Sequence, residues 1–215
     1  MSGADKPAWR RAWIGAALLG LFAAIGAATL AITEHLTRER IAERQRAYEL
    51  ESLHAVLEAG SYDNDPVTDV VHVRDQELLG TDAPVAVHRA RRNGRPVTAV
   101  LLPVAPGGYS GPIRLMVGIH ADGTLSGVRV LTHRETPGLG DAIDADKSDW
   151  IEQFAGRSLG EPEEWQMKRD GGAIDQLSGA TITSRAVADA LHNALSYFEA
   201  HREQLFAAPT ESPAR

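Results

Sequence analysis

Residues 12–33 form an uninterrupted run without a charge, AWIGAALLGLFAAIGAATLAIT, and no other feature of the 215-residue chain restricts its architecture as much. At the helical rise, its twenty-two residues reach about 33 Å, enough for the hydrocarbon core of a bilayer. Gly15, Gly20 and Gly26 would weaken a soluble helix but are common in membrane helices. The small residues at 26–31 also permit close approach of a neighbouring helix. A cleaved signal peptide has an apolar core of about 7–15 residues, shorter than this run, although Ala27 and Ala31 could mimic a cleavage site. The run therefore predicts an uncleaved membrane anchor. Lys6, Arg10 and Arg11 precede it and Arg38, Arg40, Arg44 and Arg46 follow, so the count of positive charge is nearly even. Arg10 and Arg11 lie nearest the span, and a short basic N-terminus usually stays in the cytoplasm. That orientation puts the remaining chain outside, which in a Gram-negative bacterium is the periplasm.

The rest reads as one α+β domain on a stalk. Leu50, Leu53, Val56 and Leu57 make an apolar stripe in a helical segment over 36–59, stopped by Gly60 and followed by a loop, SYDNDP. Strands are expected at 84–89, 97–104, 113–120 and 125–131, the last two joined by Ala121-Asp122-Gly123-Thr124 as a hairpin. An ordered loop over 135–146 and a short helix over 148–154 follow. Ser184 is placed to N-cap a helix to about Phe206 that buries Val187, Leu191, Leu195 and Phe198. The expected boundaries are a short cytoplasmic segment (1–11), the membrane helix (12–33), a helical stalk and loop (34–80), the folded domain (81–206) and a disordered tail (207–215). The formal net charge of -7 argues against nucleic acid as a partner. The absence of cysteine excludes disulfides, thiolate metal sites, cysteine-ligated iron–sulfur clusters and cysteine nucleophiles.

Chemistry is densest at Asp175-Gln176-Leu177-Ser178-Gly179-Ala180-Thr181-Ile182-Thr183-Ser184, a hydroxyl-rich turn of small residues entering a helix. Free N–H groups and the helix dipole make such a terminus an anion site, above all for phosphate. The same residues could equally be a generously supplied helix cap. His133-Arg134-Glu135-Thr136-Pro137-Gly138-Leu139-Gly140-Asp141 is a second candidate, but it contains neither a P-loop nor a complete dinucleotide fingerprint. Taken alone it reads as a tight surface turn. His54, His72, His88, His120 and His133 show no metal-binding spacing, and Ser110 lacks the context of a hydrolase nucleophile.

The pattern D-x-x-S-G-A-T at 175–181 resembles the motif on which a flavin transferase moves FMN from FAD to a protein threonine. That resemblance implies a phosphoester on Thr181, with Asp175 as a recognition or structural residue. ETPGLG at 135–140, together with Lys147-Ser148-Asp149-Trp150, resembles the flavin-facing loop of the FMN-binding domain family. It implies that Glu135, Thr136, Gly138 and Leu139 line the isoalloxazine ring or ribityl chain. Ser178, Gly179, Ala180, Ile182 and Thr183 would then surround the attachment point, and Lys168 is a candidate to neutralise the phosphate or the anionic flavin. With GGYSGP at 107–112 and KRDGG at 168–172, the similarity covers the anchor and about 97–200. It favours the G component of the Rnf electron-transport complex over the related C component of Na+-translocating NADH:quinone reductase. Membership implies a single-pass subunit of the bacterial inner membrane that relays electrons through covalent FMN, is matured by a flavin transferase, and works with other membrane and iron–sulfur subunits. A sensory or scaffold module and a separate flavin reductase are the competing readings. Residues 60–96 carry no comparable similarity.

Overall fold

The computed structural model describes residues 13–14, 16–27, 29, 51–160 and 162–207. The chain divides into two compact units, Met1–Tyr48 and Glu49–Arg215. In the first, the described residues within 13–29 are helical, and Leu18, Leu19, Leu21, Phe22 and Ile25 are exposed. Among the described residues, no helix is long and apolar enough to cross a membrane. Seven positions of the expected anchor (12, 15, 28 and 30–33), the charged segment that follows and the tail from 208 lie outside the described residues.

The second unit is an antiparallel sheet with helices on it. Its strands are β1 (Val70–Asp75), β2 (Thr81–Arg92), β3 (Arg95–Leu101), β4 (Val104–Ala105), β5 (Ile113–His120) and β6 (Leu125–Thr132). The order is β1-β2-β3-β5-β4, with β6 also pairing β5. Helix α1 (Gln76–Leu79) follows β1, and the long helix α2 (Thr181–Ala207) closes the chain. Residues 70–79, assigned from sequence to the stalk, thus form an edge strand and a helical turn of the domain.

Alternation decides which face each strand residue serves. Val85 and Val87, Ala99 and Leu101, and Ile113, Leu115, Val117 and Ile119 point into the main core with Val187, Leu191, Leu195 and Phe198 of α2. Ala90, Val100 and Met116 face the other way, onto Leu53, Val56 and Leu57. The central strands are covered on both sides, which is why they read as nearly continuous apolar runs.

β2 is longer than expected and β3 starts two residues earlier, because Asn93-Gly94 makes a two-residue turn between the paired Arg92 and Arg95. Both turn residues have positive φ (51° and 74°), the geometry that Asn-Gly favours in a hairpin. The strand expected over 97–104 is split at Leu102-Pro103, where Pro103 has no N–H to give but its carbonyl accepts from Leu115 N–H at 3.0 Å.

The loop at 61–69 is an internal brace. Asn64 Nδ2 donates to Asp69 Oδ2 (3.1 Å) and to the Arg89 carbonyl (2.9 Å), while its Oδ1 accepts from Arg91 N–H (2.7 Å). Asp69 bridges Arg89 and Arg91, and those two guanidinium groups donate to the Leu205 and Phe206 carbonyls at 2.9 and 2.7 Å. The last turn of α2 carries no basic residue, so strand β2 supplies the cations that satisfy its terminal carbonyls.

Candidate functional site

Helix α2 begins at Thr181, three residues before the expected cap. Ser184 lies inside the helix, where its hydroxyl donates to the Ala180 carbonyl (3.0 Å) and accepts from Leu177 N–H (3.0 Å). It therefore clamps the turn Leu177–Ala180 instead of capping the helix. Ser184 N–H also donates to the Ala180 carbonyl, so the capping position falls to Ala180, which has no side-chain acceptor. By helical geometry the N–H groups of the first turn have no partner within the helix. The terminus is exposed to a ligand in a way that a serine cap would have blocked.

The four hydroxyls of the motif have different fates. Thr183 is 1% exposed and its hydroxyl donates to Glu135 Oε2 at 2.6 Å. Ser184 is fully buried in the clamp just described. Ser178 is exposed and outside the cleft lining. Thr181 is half-buried and lines a cleft of about 500 Å³ with Tyr109, Glu135, Thr136, Leu139, Gly140, Gly179, Ala180, Ile182 and Thr183. Two candidate segments 40 residues apart in sequence thus face each other across one depression.

Glu135 holds this wall together. It is 4% exposed, and its carboxylate accepts from Ser110 N–H (3.1 Å) as well as from Thr183. One side chain joins the loop before β5, the ETPGLG loop and the first turn of α2. Gly140 is required beside it, since a β-carbon there would lie 2.8 Å from Glu135 Oε2 and 2.9 Å from Glu135 Cβ. Gly179 has φ +77° and faces Leu139 Cδ2, so the acceptor turn closes against the ETPGLG loop.

Other expected residues fall elsewhere. Lys168 is not in the cleft lining; its ammonium pairs with Asp175 at 2.7 Å, both side chains largely exposed. The carboxylate that meets this lysine lies seven residues along, in the acceptor motif itself. Gly138 is exposed beyond the lining. Asp175 is an anchor: its carbonyl accepts from Trp150 Nε1 (2.6 Å) and its N–H donates to Gln153 Oε1 (2.8 Å). The KSDW segment therefore supports the acceptor motif from behind. His133 accepts Glu135 N–H at Nδ1 (3.0 Å), so the neutral ring carries its proton on Nε2, directed at Asp144 Oδ2 (3.0 Å). His120 Nδ1 lies 3.2 Å from Thr98 Oγ1. Among the described residues, no group of three or more His, Asp or Glu could hold a metal ion.

Tyr109 and Gly140 also line the cleft, although sequence reasoning gave them no ligand role. Tyr109 sits in GGYSGP, where flanking glycines were the available signal of a structured turn.

The cleft suits a phosphorylated aromatic ligand. Its volume lies within the usual range for small-molecule sites, an uncapped helix terminus offers donors to an anion, and Tyr109, Leu139 and Ile182 give it apolar sides.

Comparison with known proteins agrees with that chemistry. The FMN-binding domain family matches residues 108–196, and the RnfG N-terminal region matches residues 1–56. The chain is 49% identical over 194 residues to the G component of the ion-translocating oxidoreductase complex of Pseudomonas aeruginosa, covering 89% of this chain and 91% of that protein. The corresponding component in Cereibacter sphaeroides is 47% identical over 192 residues (88% and 85%), and that in Pseudoalteromonas atlantica 44% over 196 residues (90% and 91%). Sharing nearly half its residues with such relatives along almost its whole length, the chain belongs to the RnfG family, the G components of ion-translocating oxidoreductase complexes.

Proposed function

We propose that this protein is a membrane-anchored electron-transfer subunit that carries FMN as a phosphoester on Thr181 and relays electrons within an Rnf-type ion-translocating redox complex. The observation that carries the covalent assignment is the sorting of hydroxyls. Thr183 and Ser184 are buried in hydrogen bonds, while Thr181 lines the cleft at the uncapped start of α2. Attachment joins Thr181 Oγ1 to the flavin-bearing phosphorus of FAD, breaks the pyrophosphate bond to release AMP, and passes the threonine proton to a base of the flavin transferase.

The chain's residues then have separable tasks. Backbone N–H groups at the start of α2 offset the phosphate charge. Thr136, Leu139, Gly140, Gly179 and Ile182 shape the berth, and Glu135 sets the distance between its two sides. The flavin supplies one- and two-electron chemistry, which no side chain of this cysteine-free protein offers. A covalent tether keeps the carrier on the protein between partners. The remaining tasks of the complex fall to other membrane and iron–sulfur subunits.

Residues 12–33 serve in this reading as a single inner-membrane span with the domain on the periplasmic side. The apolar, uncovered side chains described at 18–25 support burial in lipid.

Intact-mass spectrometry of the full chain, co-expressed with a flavin transferase, tests the central assignment. The mass should rise by one FMN-phosphoryl group, and peptide fragmentation should localise it to Thr181. Thr181→Ala should carry none, and Thr181→Ser, which keeps an oxygen, should retain part of it. An unmodified wild-type chain, or an undiminished adduct in Thr181→Ala, rules the assignment out.

A further inference from the structure

We propose that Tyr109 is the aromatic side of the flavin berth, packing its phenol ring against the isoalloxazine and so controlling the environment of the reactive ring. This rests on the flavin reading of the cleft and adds a residue to it. Tyr109 is 69% exposed, whereas Trp150, Phe154, Trp165, Tyr197 and Phe198 of the same domain are buried. Exposing a ring of that size forgoes the burial that stabilises its neighbours. It is nonetheless not on a loose loop.

The turn that carries Tyr109 is fixed on both sides. Gly111 N–H donates to the Gly108 carbonyl (3.4 Å), and Ser110 N–H donates to the buried carboxylate of Glu135 (3.1 Å). Gly108 has no room for a side chain, since a β-carbon would lie 2.2 Å from the Gly111 carbonyl oxygen and 2.9 Å from Glu135 Oε1. The mount is thus rigid while the ring it presents is uncovered. The ring lines the same cleft as Thr181, Leu139 and Ile182, the last two being exposed apolar side chains from the facing segments. Three apolar groups from three separate segments surround a cleft with an anion-binding helix terminus. A ligand with a phosphate at one end and a flat aromatic ring at the other meets both requirements. Glu135, by holding Ser110, is the positioning residue for this tyrosine.

Flavin fluorescence reads this contact directly, because a phenol or indole in contact with a flavin quenches it and an aliphatic side chain does not. Wild type, Tyr109→Leu, Tyr109→Phe and Tyr109→Trp would be produced as full chains with the transferase, and adduct content measured by intact mass. Fluorescence per adduct should rise several-fold in Tyr109→Leu and Tyr109→Phe and stay as dark as wild type in Tyr109→Trp. Loaded Leu and Phe variants no brighter than wild type would overturn the proposal. So would a bright Trp variant, which would mean that the substitutions merely disturb the cleft. If Tyr109→Leu takes up no flavin, Tyr109→Phe decides the matter by the same criterion. A wild-type chain without adduct fails the flavin assignment itself, whereas a loaded chain with unchanged fluorescence fails only the role of Tyr109.

Discussion

Glu135 is the side chain on which the site depends most. It lies buried between two donors from distant segments, so its removal leaves the Ser110 N–H and Thr183 hydroxyl unsatisfied. Glu135→Ala should destabilise the domain by about 3 kcal/mol, measured by urea denaturation, because orphaned buried donors retain their desolvation cost. Glu135→Gln preserves an acceptor for Thr183 and should lose less. Equal losses in the two variants would show that packing, not hydrogen bonding, is the side chain's contribution. Asp122 offers a pH-dependent case. Hydrogen bonds from the Thr124 hydroxyl (2.7 Å) and N–H (2.9 Å) hold its carboxyl below the usual carboxylate range. The folded value is depressed, so its contribution is present above the unfolded value and is lost as pH falls through the folded one. Thr124→Ala should flatten the acid side of the stability–pH profile, and an unaltered profile would contradict that role.

At the scale of elements, the end of α2 is held by strand β2. Arg89 is 1% exposed and depends on Asp69 for its counter-charge, while Arg89 and Arg91 cap carbonyls more than a hundred residues away in sequence. Asp69→Ala removes the carboxylate that Arg89 and Arg91 share and should cost about 3–5 kcal/mol. Hydrogen exchange should then quicken first in the last turn of α2, where the caps loosen. Uniform acceleration along the helix would instead indicate global destabilisation. The start of α2 obeys the opposite rule. Ala180 leaves it uncapped, and Ala180→Ser should stabilise the flavin-free domain by about 1 kcal/mol while competing for the donors assigned to the phosphate. Thermal melts of the flavin-free chain, set beside adduct yield, would separate the two effects.

For the whole molecule, the prediction concerns attachment to the membrane. Deleting residues 1–33 should release the chain from the membrane fraction on carbonate extraction, without removing any element of the sheet or α2. Continued sedimentation of the truncated protein with membranes would assign retention to the domain or its partners instead.

How much was legible follows the range of the interactions. The hairpin of β5 and β6, the short helix capped by Ser148 and the apolar face of α2 are written in neighbouring residues, where turn chemistry and periodicity act. Asn93-Gly94 was equally local, but the arginines around it, two of which (Arg89 and Arg91) are taken up by Asp69 and the end of α2, hid the ends of the strands that it joins. The pairing of Lys168 with Asp175 and the place of Tyr109 on the cleft are tertiary facts, of which the sequence showed only the turn GGYSGP. By itself the sequence determined the acceptor motif, the ETPGLG loop and the family to which they point. Which hydroxyl faces the cleft was decided by tertiary structure alone: Glu135 reaches Thr183 across 48 residues, and Ser184 turns inward to hold Leu177. A motif specifies which groups are present; one long-range bond, to Glu135, takes up the Thr183 hydroxyl, the local clamp on Leu177 and Ala180 takes up that of Ser184, and Thr181 is left on the cleft.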